Sequence, residues 1–306
     1  MGKGSWILLI ISIVFFIIVA LMFVGLIFAL KGSDIKSGSG NVALISVSGV
    51  ITTEKSSSLF SEEVASSQDI VELIEKADED SEIKAIIIEI NSPGGSPVAS
   101  EEIANAIKNT NKTTVAWIRE VGASGGYWVA SSTDYIVANR MAITGSIGVI
   151  GSYLEFAGFI TEHNITYQRF VSGKYKDLGT PFKQLTEEER QLYQKKIDIL
   201  HDFFVEEVAK NRKLQKNKVS SLATGMFYLG SEAKDLGLVD ELGGKQEVIR
   251  YIEDKEGIKA EIVEYKKQKS FWDSLGEVLN QNSFSVGEGI GSAVIKSTPS
   301  GPKLVT

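Results

Sequence analysis

The α/β architecture is indicated first by the segment Ala85-Ile-Ile-Ile-Glu-Ile-Asn-Ser-Pro-Gly-Gly95. Its run to Ile90 is apolar except for Glu89, which predicts a mostly buried strand ended by Pro-Gly-Gly. A second predicted strand, Thr113–Ile118, likewise leads into Gly122-Ala-Ser-Gly-Gly126. Glycines permit positive φ and close backbone approach, and the first amides of a following helix are unpaired. The two junctions could therefore supply a serine hydroxyl and the backbone donors that acyl transfer requires.

Strand and helix patterns alternate along much of the chain. Strands are predicted over Asn41–Thr52, Ile83–Ile90, Thr113–Ile118, Asp134–Ala138 and Leu238–Asp240. Helices are predicted over Gln68–Ala77, Pro97–Lys108, from Ser124, from the capping box Thr186-Glu-Glu-Glu189 to about Arg212, and around the last strand between Ser231 and Arg250. This order predicts an α/β domain with a largely buried sheet.

Composition excludes several classes of function. The chain has 306 residues, a formal net charge of -7 and no cysteine. The acidic balance argues against nucleic acid as a partner. The lack of cysteine excludes disulfides, thiolate catalysis and thiolate zinc sites. Acidic runs such as Asp78-Glu-Asp80 lack ligand spacing, so no metal and no cofactor are expected.

The N-terminal region predicts a membrane anchor. Trp6–Leu30 is a run of 25 uncharged residues, and as a helix it would cross a hydrocarbon core of about 30 Å. A cleaved signal peptide is the alternative, but its apolar region is usually about 7 to 15 residues long. The predicted organisation is a tail over 1–5, a transmembrane helix over 6–30, a flexible linker over 31–41, a folded domain over 42–266, and a loosely ordered tail over 267–306 in which a short amphipathic helix could form. The flanking charges leave the orientation open.

A base for a serine nucleophile is hard to choose from the residues alone. The chain has two histidines. His163 resembles part of a surface turn, and His201 lies beside the apolar stripe of a predicted helix, so packing is the simpler interpretation for each. A lysine can act as base if burial lowers its pKa by several units. Lys174 and Lys176 would face the same side of an extended segment, so periodicity leaves both open.

Five blocks of sequence, taken together, resemble the membrane-anchored signal peptide peptidases of the SppA type, in the superfamily of Clp protease and the crotonases. They are Asn91-Ser-Pro-Gly-Gly95, Gly122-Ala-Ser-Gly-Gly-Tyr-Trp128, Thr144-Gly-Ser-Ile-Gly-Val149, Gly173-Lys-Tyr-Lys176 and Ala233-Lys-Asp-Leu-Gly-Leu-Val-Asp-Glu-Leu-Gly-Gly244. Their order and spacing cover roughly residues 42–250, which is far more specific than a lone Gly-Gly. The resemblance implies a repeated ββα superhelix preceded by one transmembrane helix.

The resemblance also implies roles for individual residues. Ser124 would be the nucleophile and Lys176 the general base, with Ser146 orienting the lysine amine. The amides of Gly95 and Gly125 would form the oxyanion hole, with Gly94 as the alternative to Gly95. The lysine would reach the serine of an adjacent subunit, so a ring-like homo-oligomer is implied.

The implied protein is a single-pass serine endopeptidase of a bacterial or archaeal cell membrane, with its catalytic domain outside the cytoplasm. Its substrates would be remnant signal peptides and other extended apolar peptides. A Clp-type triad would need a histidine shortly after the serine, and none lies between Gly125 and Glu162. A crotonase-like acyl enzyme and a non-catalytic membrane scaffold that keeps the fold are the remaining alternatives.

Overall fold

The computed structural model describes residues 3–30, 36–54 and 64–267. These residues fall into two compact units. One contains described residues 3–30, 36–37 and 265–267, and the other contains described residues 38–54 and 64–264. Most of the predicted tail over 267–306 and the linker residues 31–35 lie outside the described residues.

The first unit contains helix α1, Lys3–Leu30. The side chains described on it are Trp6 and residues 12–25, and most of them are exposed and apolar. Judged on the residues that are described, no helix has the length and apolar character needed to cross a membrane. The span predicted over Trp6–Leu30 therefore stays a prediction.

Eleven strands and eight further helices lie within the described ranges. The strands are β1 (Lys36–Ser37), β2 (Val42–Ser48), β3 (Val50–Thr52), β4 (Val64–Ser66), β5 (Ala85–Ser92), β6 (Thr113–Ala123), β7 (Tyr135–Ala138), β8 (Ile143–Gly145), β9 (Phe227–Leu229), β10 (Glu241–Leu242) and β11 (Ile262–Tyr265). The helices are α2 (Ser67–Glu79), α3 (Pro97–Asn109), α4 (Gly125–Ser131), α5 (Ala157–Glu162), α6 (Glu187–Asn211), α7 (Lys216–Leu222), α8 (Gly230–Leu236) and α9 (Lys245–Glu256).

A parallel sheet forms the centre of the second unit. Its strand order is β11-β2-β5-β6-β7-β10, and every neighbouring pair is parallel. The end of β6 also pairs with β8 in parallel, and β8 pairs with β9 in antiparallel. Because β5 and β6 run in parallel, both glycine-rich junctions lie at the same edge of the sheet, and Ser92 is in register with Gly122. The predicted α/β class is confirmed.

The sheet is buried on both faces. Val42, Ala85, Ile87 and Val115 form a cluster with Val248 and other residues of α9. Side chains alternate along a strand, so Ile86 and Ile88, which are fully buried, belong to the other face. Helices α2 and α4 contact the strands, and α3 packs between those two helices. Burial on both faces explains why the β5 pattern is continuously apolar rather than alternating.

Local signals in the sequence located most elements to within a few residues. The Ser96 side chain accepts a hydrogen bond from Ala99 N at the start of α3, and Thr186 and Glu189 form the predicted capping box of α6. The strand predicted over Leu238–Asp240 is wrong in position, because β10 begins at Glu241. Leu238 is buried in a turn instead, so its apolar character reflects tertiary packing.

Candidate active site

The loop after β5 is shaped by Ser92, which is fully buried. Its Oγ donates to the Gly49 carbonyl at 2.6 Å and accepts from the Gly94 amide at 3.1 Å. Gly94 has φ of +99°, a conformation that L side chains rarely adopt. The first glycine of the pair is therefore fixed by the loop itself, and its amide already has a partner.

Strand β3 holds the second glycine of this loop. Ile51 N donates to the Gly94 carbonyl at 2.9 Å, and Ser96 N donates to the Ile51 carbonyl at 2.8 Å. These two bonds make Ile51 and Gly95 partners in a parallel bridge. In this bridge Ile51 pairs with the Gly94 carbonyl and the Ser96 amide, which are the neighbours of Gly95. The N–H of Gly95 is therefore not used by β3 and points away from it.

Ser124 stands at the junction of β6 and α4 in a strained conformation. Its φ is +52° and its ψ is -123°, which for a residue other than glycine costs about 1–3 kcal/mol. Its amide donates to the Gly145 carbonyl at 2.8 Å, and its carbonyl accepts from the amides of Tyr127 and Trp128 at 2.9 and 3.0 Å. The main chain is thus held on both sides, while the residue is partly exposed and its Oγ makes no hydrogen bond to any described residue.

The two glycine-rich junctions touch beside Ser124. A Cβ added to Gly94 would lie 2.6 Å from Gly125 N, and one added to Gly125 would lie 3.3 Å from Gly95 N. Within the described part of the chain, the amides of Gly95 and Gly125 donate to no other group. Two unpaired amides therefore flank the serine, which is the arrangement that can hold a developing oxyanion.

Ser146 is held by a segment that we name the strap, residues 223–226. Ser146 has φ of +48°, its amide donates to the Met226 carbonyl at 3.1 Å, and its Oγ donates to the Gly225 carbonyl at 3.1 Å. Gly225 N in turn donates to the Ile147 carbonyl at 3.0 Å. A Cβ on Gly148 would lie 2.9 Å from Gly225 Cα, so the strap packs closely on the Ser146 loop.

One cleft of about 580 Å³ brings most of the predicted site residues together. Ser124, Ser146, Gly95 and Gly125 line it, along with Ala223, Thr224 and Gly225 of the strap. Apolar side chains form other parts of its wall: Pro93, Pro97, Trp128, Val149, Ile150 and Phe204. The cleft thus combines a polar site with apolar walls that suit an extended apolar ligand.

Lys176, like the alternative oxyanion donor Gly94, is not among the residues that line this cleft. Its side chain is exposed, in a turn closed by Lys176 N donating to the Gly173 carbonyl at 3.1 Å. Lys174 differs, because its Nζ contacts both carboxylate oxygens of Glu188 at 2.8 and 2.7 Å. The hydrogen bond to Glu188 raises the pKa of Lys174 above its ordinary value and keeps it charged.

Both lysines belong to a segment that we name the arm, residues 150–185. None of its side chains is buried within the chain. Ile150, Leu154 and Phe170 are 90%, 74% and 91% exposed. A contiguous segment with so much exposed apolar surface is typical of a protein–protein contact.

Ion pairs tie the base of the arm to α6. Asp177 accepts from Arg169 and lies 3.3 Å from Lys183 Nζ, and Lys183 Nζ donates to Glu189 at 2.6 Å. The hydrogen bond from Arg169 lowers the pKa of Asp177 below its ordinary value. Glu189 is also the capping-box residue of α6, so the turn that carries Lys176 is linked to the start of that helix.

The two histidines lie in different surroundings. His163 Nδ1 is 2.9 Å from the Phe159 carbonyl at the end of α5, on the arm. His201 lines the cleft, and its Nε2 is 2.9 Å from the carbonyl of Ala223 in the strap. A carbonyl can only accept, so Nε2 of His201 carries a proton. The sequence pattern did not place His201 in the cleft.

Sequence analysis also missed three residues that support the predicted site residues. Ser92 shapes the first loop, Ser100 packs against Gly125, and Gly225 holds the Ser146 hydroxyl. Ser92 had a local signal, because it directly precedes Pro-Gly-Gly. Gly225 lies 79 residues from Ser146 and had none. No cluster of His, Asp and Glu within residues 3–30, 36–54 and 64–267 is arranged to hold a metal ion.

The arrangement around Ser124 is one that can perform acyl transfer, with a strained serine on a strand-to-helix turn beside two backbone donors. Residues 106–259 match the model of "Peptidase family S49". The chain belongs to this peptidase family.

Three relatives show how far the similarity extends. The Methanocaldococcus jannaschii protein named "Putative protease MJ0651" is 32% identical over 239 residues, which cover 77% of this chain and 76% of that protein. The Enterococcus faecium protein named "Putative signal peptide peptidase SppA" is 34% identical over 238 residues, covering 76% of this chain and 69% of its own length. "Protease 4" of Haemophilus influenzae is 37% identical over 215 residues, covering 69% of this chain but 34% of its own length.

Proposed function

We propose that this chain is a serine peptidase in which Ser124 attacks the substrate's peptide carbonyl. The observation that carries the proposal is the position of Ser124 Oγ, which has no partner among the described residues and stands beside two unpaired amides. Removing one oxyanion donor of this kind typically lowers kcat by about 10²- to 10³-fold. Gly125 supplies one amide. Gly95 supplies the other, because the Gly94 amide is already bonded to Ser92.

Lys176 is the proposed general base. The ordinary pKa of a lysine is about 10.4, so its amine must be desolvated beside the serine to become neutral. Lys174 is poorly suited, because Glu188 holds it charged. Lys176 forms no side-chain hydrogen bond with the described residues, but it lies on the exposed arm outside its own chain's cleft. We therefore assign Lys176 to the cleft of a neighbouring subunit in a ring-like homo-oligomer.

The proposed reaction has two stages. The neutral amine of Lys176 takes the proton of Ser124 Oγ, and the oxygen attacks the peptide carbonyl to form a tetrahedral oxyanion. The resulting ammonium gives its proton to the leaving amine, which leaves an ester on Ser124. Water, deprotonated by the same lysine, then hydrolyses the ester and restores the serine. Ser146 orients the amine, and the reaction needs no cofactor.

The proposed substrates are remnant signal peptides and other extended apolar peptides. The apolar walls of the cleft support this class of ligand, and one relative is named a signal peptide peptidase. The exposed apolar side chains of α1 support the proposal that α1 anchors the chain in a cell membrane, with the catalytic domain outside the cytoplasm.

The first experiment tests the two proposed catalytic residues. The full chain is purified in detergent, and hydrolysis of a fluorogenic apolar peptide is measured for wild type, Ser124→Ala, Lys176→Ala and the matched control Lys174→Ala. We expect Ser124→Ala and Lys176→Ala to lower kcat/KM by about 10³-fold or more, and Lys174→Ala to stay within about threefold of wild type. Undiminished hydrolysis by Ser124→Ala would sink the nucleophile assignment. An assembled but inactive wild type would favour the scaffold alternative.

Co-expression of the two inactive variants tests the shared site. In a head-to-tail ring of randomly mixed subunits, about a quarter of the interfaces combine an intact serine with an intact lysine. We expect about a quarter of the wild-type activity to return. No recovery in rings shown to contain both variants would mean that each chain supplies its own lysine.

A further inference from the structure

The strap that holds Ser146 is itself held by His201. His201 Nε2 donates to the Ala223 carbonyl at 2.9 Å, and two residues later the Gly225 carbonyl accepts from Ser146 Oγ at 3.1 Å. The far end of the strap is fixed separately, because Met226 accepts from Ser146 N and leads into β9. His201 thus connects α6 to the near end of the strap, inside the cleft that contains Ser124.

The hydrogen bond from Ser146 to Gly225 determines whether the Ser146 hydroxyl can donate or only accept a further hydrogen bond. A serine has one proton to donate, and here Gly225 accepts it, which leaves oxygen lone pairs as the part of the hydroxyl available to another group. A neutral lysine amine has two N–H groups and one lone pair. If Ser146 donated to that lone pair, it would compete with Ser124 Oγ–H for the base. With its proton bound to Gly225, Ser146 can only accept an N–H from the amine.

We propose that His201 is a positioning residue that fixes the strap so that the Gly225 carbonyl keeps the proton of Ser146, leaving the lysine lone pair for Ser124. This inference rests on the proposed Ser–Lys chemistry. His201 acts through Ala223 and Gly225, and its hydrogen bond goes to the Ala223 carbonyl rather than to Ser124 or Ser146. The packing of Gly148 on Gly225 transmits the position of the strap to the Ser146 loop.

Three variants test the role of the donor. His201→Phe keeps a ring but removes the N–H, His201→Gln offers a side-chain N–H to Ala223, and Lys84→Met removes a side-chain donor to the Ser81 carbonyl, outside both the cleft and the arm. For His201→Phe we expect kcat to fall about tenfold while KM stays within about twofold. His201→Gln should recover to within about threefold of wild type, and Lys84→Met should match wild type. Assembly and thermal unfolding are measured alongside.

A double-mutant cycle separates this role from a general structural one. In a Ser146→Ala background the hydroxyl is absent, so His201→Phe should cost less than about twofold in kcat. An equal cost in both backgrounds would overturn the proposal, because His201 would then act without Ser146. Loss of activity in His201→Gln to the level of Ser124→Ala would also overturn it and would indicate a histidine base. An inactive wild type would instead refute the proposed function, and the positioning role with it.

Discussion

The glycines of the site differ in what blocks a side chain at each position. A Cβ on Gly125 would collide with Ser100 Oγ, which is the end of a side chain. A Cβ on Gly95 would collide with the Ile51 carbonyl, which is main chain fixed by the bridge to β3. The two glycine-rich junctions therefore differ, because the atom that blocks a side chain at Gly125 can be removed by mutation and the one at Gly95 cannot.

This difference gives a prediction at the residue scale. We expect Gly125→Ala to lower the free energy of unfolding by about 1–3 kcal/mol through overpacking. Adding Ser100→Ala should restore more than half of that loss, because it removes the atom that collides. The quantity is measured by denaturant unfolding of the full chain in detergent. Gly95→Ala serves as the comparison, and Ser100→Ala should not restore its stability. If Ser100→Ala left Gly125→Ala unimproved, the proposed cause of the strain would be wrong.

At the element scale, α6 shows where a periodic apolar pattern predicts burial correctly and where it does not. The predicted apolar face is Tyr193, Ile197, Leu200, Phe204 and Val208. Phe204 and Val208 are buried, and Phe204 stacks on Trp128 with ring centroids 4.8 Å apart. Leu200 is 37% exposed. The prediction of a packing face is confirmed for the last turns of the helix, while its first turns meet the arm and remain partly open.

The start of α6 therefore depends on its capping box more than on burial. We expect Thr186→Ala to cost about 1 kcal/mol and to speed amide hydrogen exchange in the first turn of the helix. Thr186→Ser keeps the accepting hydroxyl and should change the stability by only a few tenths of a kcal/mol. Equal effects of the two variants would mean that the methyl group of Thr186, and not its hydroxyl, stabilises the helix.

At the scale of the whole molecule, the arm is the part on which the proposed assembly depends. It carries the proposed base, contains no buried side chain and exposes Phe170 almost fully. A second copy of the chain would both cover this apolar surface and receive Lys176. Assembly and activity should therefore be lost together.

Phe170→Asp tests this coupling. We expect the variant to remain folded but to sediment as smaller species, with peptide hydrolysis reduced by about 10²-fold or more because the proposed base no longer reaches a serine. The control is Val98→Asp, which places the same charge at a site that is also exposed, at 57%, but lies outside the arm. A dissociated Phe170→Asp protein with full activity would contradict a site shared between subunits.

Much of the fold could be predicted because its signals are local. The apolar run of β5, the Ser96 cap and the Thr186 capping box each depend on neighbouring residues in the chain. The strand predicted over Leu238–Asp240 was misplaced because Leu238 is buried by packing and not by strand pairing. The candidate site residues Ser124 and Lys176 came from the family resemblance, since local pattern alone left several serines and two lysines open.

The sequence by itself determined the α/β class and the two glycine-rich junctions, while their position at one edge of a parallel sheet came from the structure. The class and the junctions follow from periodicity and from the backbone freedom of glycine, which are properties of short segments. Only the tertiary structure decided that the Gly94 amide donates to Ser92 while the Gly95 amide is unpaired. It also decided that Ser146 donates to Gly225 and that His201 contacts the same strap. The contacts of Gly225 and His201 join residues 79 and 22 positions apart, and the short-range bond from Gly94 to Ser92 forms in a loop held by Gly49 and Ile51. No local pattern indicates which of these groups will meet.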